Sequence, residues 1–139
     1  MTKNIKFSNS ELIDKLIVCQ IKQVINNKNH REYEKGISSI IREIDSNIKN
    51  KKINIDSKFI NLIIALSQIN TFIWLLRDKV RESNKNLDYN IKLSHQLNAL
   101  RNKVKNTLIT YLDGGKESQK KTNINKEDLK GWKYSIVEE

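Results

Sequence analysis

Asn70, Trp74, Arg77 and Arg81 are separated by four, three and four residues, the spacing that lines side chains up along one side of a helix. Phe59, Ile63 and Leu66 precede them on the same line, which runs down the middle of the stretch from Asp56 to Asn84. The first half of the line is apolar. The second half carries an amide, an indole and two guanidinium groups, all costly to bury without partners. Guanidinium groups grip phosphate or carboxylate oxygens, an amide fixes direction, and an indole makes a flat wall. Recognition of an anion is the chemistry that this combination suits.

A second set lies further on. Leu93, Leu97, Leu100, Val104, Leu108 and Tyr111 form an apolar seam at alternating three- and four-residue spacing, and Ser94, Asn98, Arg101 and Lys105 line its shoulder. A tight turn at Asn84-Lys85-Asn86 would pair the two stretches antiparallel. Trp74 then comes level with Asn98, Asn70 with Asn102, and Arg77 with His95. The candidate ligand-binding set is therefore Asn70, Trp74, Arg77, Asp78, Arg81, Asn98, Arg101 and Asn102. Asn70 and Asn98 would give directional hydrogen bonds, Arg81 and Arg101 the charge, and Asp78 would orient an arginine. The competing account of the same residues is a structural polar network, with Arg77 and Arg81 reaching out of the bundle end into water.

These residues also carry a resemblance. Asn70-Thr-Phe-Ile-Trp74-Leu-Leu-Arg77-Asp78-Lys-Val-Arg81 is similar to an N-x3-W-x2-E-D-x2-R pattern, and Leu97-Asn98-Ala-Leu-Arg101-Asn102, followed by Leu112-Asp113, is similar to an L-N-x2-R-N motif followed by an aspartate. Together they resemble a family of small helical bacterial proteins of unknown function, often encoded near glycosyltransferase or cell-surface polysaccharide genes. The likeness covers residues 56–113 and supplies no activity. Arg77 stands where the pattern has an acid, which argues against a metal or acid–base role.

Other chemistry is poorly supported. His30 and His95 have no acid or cysteine at metal-ligand spacing, so no metal site and no cofactor are expected. Glu32, Glu34, Glu43 and Asp45 are reminiscent of the acidic helices of all-α nucleotide pyrophosphohydrolases, but they face away from the apolar stripe of their helix. Arg101-Asn102 followed by Asn106 lacks the histidine of a helical ribonuclease-like R-N-x3-H element. No nucleophile–base pair, glycine-rich phosphate loop or CxxC is present.

Four helices are needed to position the site. Ser8 or Ser10 caps a helix of about 10–27, in which Leu12, Leu16, Cys19 and Gln23 make the central line of a broad buried face. A second helix spans about 30–50, with Tyr33, Ile37, Ile40, Ile41, Ile44 and Ile48 as its stripe and Gly36 as a candidate close crossing. Asp56 or Ser57 caps the central helix, and the fourth runs from Leu87 to Leu112. The short connections favour an antiparallel all-α four-helix bundle over residues 1–115. A polar C-terminal tail, 116–139, follows. Residues 116–125 are expected to be its most mobile part, and Trp132, Tyr134 and Ile136 are suited to docking on the bundle.

The chain has 139 residues and a net charge of +10. It has no proline, and a single cysteine, Cys19, in an apolar run, which suits a reducing compartment. No uninterrupted apolar run approaches the ~18 residues that span a bilayer, and acids break up any signal-like core at the N-terminus. A cytoplasmic protein with no membrane span is the expectation. The positive charge is spread along the chain, and only five of 26 basic residues are arginines. The reading is a non-catalytic binding or accessory protein for an anionic small molecule (phosphate, nucleotide or sugar-phosphate) or a partner's acidic side chain, a homodimer included. One alternative is a nucleic-acid-binding bundle using its overall charge, which steep salt dependence would reveal. The other is an enzyme acting on a nucleotide or sugar-phosphate in the same pocket, with Asp78 essential.

Overall fold

A computed structural model describes residues 7–82 and 84–113. The expectations for a tail at 116–139, for mobility at 116–125 and for docking by Trp132 and Tyr134 lie outside the described residues. Within them the fold is all-α. Its elements are α1 (Asn9–Ile25), a 3-10 turn (Asn27–Asn29), α2 (His30–Ile48), α3 (Ser57–Glu82) and α4 (Leu87–Leu112).

The helix ends follow from local chemistry. Ser8 is the cap of α1: its hydroxyl accepts the Glu11 amide at 3.1 Å, while Ser10 is used elsewhere. Asp56 Oδ1 accepts the Phe59 amide at 2.8 Å and starts α3. Asn86 takes φ 58°, the left-handed conformation that asparagine tolerates best after glycine, and so reverses the chain into α4.

The core belongs to three helices. Leu62, Ala65, Leu66, Ile69, Ile73 and Leu76 of α3 meet Leu93, Leu97, Leu100, Val104 and Leu108 of α4, with Ile17 of α1 closing the group. The seam expected for α4 is the one that is buried.

The broad buried face expected of α1 is present, with Leu12 only 1% exposed, and it extends round both sides of the helix, whereas two expectations for α2, a buried stripe and a close crossing at Gly36, need correction. Ser10, Asp14, Ile17 and Ile21 share one line of α1, and it is this side that faces α3 and α4. The apolar line Leu12, Leu16, Cys19 and Gln23 lies on the opposite side, where α1 packs on α2; Gln23 Nε2 comes within 3.4 Å of His30 at the start of α2. α1 is thus sandwiched, and its more apolar side does not face the main core. α2 has no buried residue, and Ile41 stays largely exposed. Nothing lies within 4 Å of a Cβ built on Gly36, so Gly36 marks no close crossing.

α3 is the helix, among the described residues, that is long and apolar enough to cross a membrane by length and composition. Counting uninterrupted apolar runs misses it, because isolated polar residues such as Ser67 and Asn70 divide the stretch. In the fold, one side of α3 is buried by α1 and α4, and the polar Asn70 on that side is fully engaged.

Candidate functional site

Asn70 sits at the centre of a buried polar chain linking three helices. Its Nδ2 donates to Asp14 Oδ1 at 2.8 Å, and its Oδ1 accepts from Arg101 Nη1 at 3.2 Å. The amide adapts a carboxylate on α1 to a guanidinium on α4, which fixes its orientation: nitrogen to the acid, oxygen to the cation. The other oxygen of Asp14 meets Lys105 Nζ at 3.3 Å, and Lys105 also reaches Glu11 Oε1 at 2.9 Å. Lys105 is only 2% exposed, so its ammonium depends on these two carboxylates to replace water. Ser10 Oγ donates to the Lys105 carbonyl at 2.9 Å and ties the backbones of α1 and α4 together.

A second link closes the end of the bundle. Asn47 Nδ2 donates to Asn9 Oδ1 at 3.1 Å, and Asn9 Nδ2 donates to Asp113 Oδ1 at 2.9 Å. This joins α2, α1 and the C-terminal end of α4.

The anticipated site residues separate into two places. Asn70 and Arg101 belong to the buried chain, where two acids balance two cations. Arg101 is therefore engaged by an amide, and among the described residues neither Asp78 nor a backbone carbonyl holds it. Trp74 lies one turn beyond Asn70; its Nε1 is buried with no hydrogen-bond partner among the described residues, as is Arg101 Nε. Arg77 and Arg81 lie further along α3, beside the hairpin turn. With Leu76, Val80, Ile91, Ser94 and His95 they line a cavity of about 200 Å³ between α3 and α4. Among the described residues, Asp78, Asn98 and Asn102 make no hydrogen bond to Asn70, Trp74 or these arginines. No group of three or more histidine, cysteine or acidic residues is arranged to hold a metal ion among the described residues.

The residues that the sequence reading missed are Asp14 and Glu11, the acids that neutralise the interior. Their signal was the Ser10–Asp14 pair on the line that continues through Ile17 and Ile21. An acid on an apolar line implies a buried cation on a neighbouring helix, and Lys105 is that cation.

The electrostatics decide where an anion could go. Lys105 is saturated by carboxylates, and Arg101 shares the same neutral cluster. Arg77 and Arg81 are exposed, and no carboxylate is among the residues that line their cavity. Among the described residues, the arginines left without a carboxylate beside them are therefore those at the hairpin end of the seam. No family model, curated protein or solved structure matches the chain.

Proposed function

We propose that the chain is a non-catalytic binding protein that takes an anionic small molecule, or the acidic side chain of a partner, at the hairpin end of the α3–α4 seam. The observation that carries this reading is the convergence of Arg77, Arg81, Ser94 and His95 on one cavity with apolar walls. Two guanidinium groups supply paired donors and long-range attraction. Leu76, Val80 and Ile91 exclude water from one side, which strengthens those contacts. A phosphate bearing a small apolar or sugar body matches this division.

The buried Asn70 chain supports the site from behind. It fixes α3 against α4 about two to three turns below the arginines, so their backbones are held while their side chains remain free to close on a ligand.

Thermal shift and calorimetry with inorganic phosphate, a nucleoside monophosphate and a sugar-phosphate test the reading. One of these should raise the melting temperature of the native chain. The Arg77→Ala/Arg81→Ala variant should lose the shift, while Lys79→Ala, an exposed cation on the same helix outside the cavity, should keep it. An equal loss in Lys79→Ala would mean that overall charge, as in a nucleic-acid-binding bundle, is what attracts the anion. Absence of binding to all three probes would remove the small-molecule reading.

A further inference from the structure

α3 has a second stripe, on the side away from α4. Ile60, Ile64, Ser67, Thr71 and Leu75 follow one another at spacings of four, three, four and four, the pattern of a helix–helix seam. Ile60, Ile64 and Leu75 are 51, 52 and 49% exposed. From Phe59 to Leu76 the helix carries no charged residue, in a chain where 30% of residues are charged. Beside the stripe runs a groove lined by Ile17, Ile21, Val24, Ile25, Ser67 and Thr71, whose ridge residue Val24 is 78% exposed. An apolar face of this extent marks a contact surface.

We propose that a second copy of this chain covers it, α3 against α3 antiparallel, with the two-fold axis passing between Ser67 and Gln68. The stripe is close to a palindrome about that point. Ile60 comes level with Leu75 of the other copy, Ile64 with Thr71, and Ser67 with Gln68. Ser67 at the centre lets the helices approach, and Ile64 of each copy meets the mouth of the other's groove at Thr71.

Net charge alone opposes self-association in a chain of +10, and it is across an uncharged stripe such as this one that the repulsion between copies is weakest. At its end the stripe continues into Asp78 and Glu82. In the antiparallel pair Asp78 comes level with Ser57 of the other copy, beside the Asp56 carboxylate that caps its α3, so the apolar middle of the stripe has to hold the contact. The contact runs ~22 Å along each helix, at about 1.5 Å per residue. The proposal is independent of the anion site, whose arginines face α4.

Sedimentation velocity on the full chain, from low to high micromolar, should give twice the 16.3 kDa protomer mass. Ile64→Glu and, separately, Thr71→Lys should sediment as monomers with unchanged helical circular dichroism, since both positions are exposed. In a Cys19→Ala background, Ser67→Cys should oxidise to a cross-linked dimer, because the two copies of that residue flank the axis. Ile60→Cys should not cross-link, its copies being ~22 Å apart. A native chain that stays monomeric at every concentration overturns the proposal, whether the face then binds anionic vesicles or residues 116–139. A dimer that survives both charged variants overturns it too, as does equal cross-linking at positions 60 and 67.

Discussion

Replacing Lys105 with methionine tests whether the interior depends on its ion pairs. Methionine nearly matches the length and volume of the lysine stem, so little cavity is created and the loss reports on charge. The variant removes the 2.9 Å contact to Glu11 and the 3.3 Å contact to Asp14. The two acids then fare differently. Glu11 is the more exposed and regains water at little cost. Asp14 is buried and keeps only the Asn70 amide at 2.8 Å as a described partner. Breaking a buried pair by removing one partner costs about 3–5 kcal/mol, and relief at Glu11 places this variant near the lower end. For a domain of this size a loss of ~3 kcal/mol lowers the melting temperature by roughly 10–15 °C.

Urea denaturation of the native chain, Lys105→Met, Asp14→Asn and the double variant gives the full cycle. The double variant should recover part of the loss, with a coupling of about 1–3 kcal/mol. The loss should also change little between low and high salt, because a buried pair is poorly screened. A loss under ~1 kcal/mol, the value of an exposed pair, would refute the reasoning. So would a loss that disappears in high salt.

Three further outcomes follow from single residues. Arg101→Ala should lower stability by about 1–3 kcal/mol in chemical denaturation, because it strands the buried Asn70 Oδ1 and removes one of the two cations that balance Asp14 and Glu11. Gly36→Ala should raise stability by about 0.5–1 kcal/mol, since the new methyl meets nothing and the helix gains propensity; a loss in the same assay would mean that the position is crowded. Asn86→Gly should be close to neutral, whereas Asn86→Val should cost about 1–2 kcal/mol by thermal denaturation, because a β-branched residue resists φ 58°.

What could be read from sequence is what local spacing encodes. The α4 seam and its limits, Leu87 and Leu112, are as the pattern implied, because most of the apolar residues of that helix lie along the line that meets α3. Asn70 stood out because an amide in the middle of an apolar line must be satisfied by something. What satisfies it could not be read, since the side of α1 that turns towards α3 and α4 is a property of the packing. Apolar content favoured the line through Leu12 and Leu16, and that line is covered by α2. A count of donors and acceptors would have chosen correctly. The candidate seam of α3 and α4 offered buried donors on Asn70, Trp74, Arg101 and Lys105, and its only nearby acid, Asp78, lay towards the hairpin end. Burying two cations and an amide requires a carboxylate from a third helix. On α1 only the line through Ser10, Asp14, Ile17 and Ile21 offers one among apolar neighbours. The need for charge balance, more than hydrophobic periodicity, therefore identifies the inner face of α1.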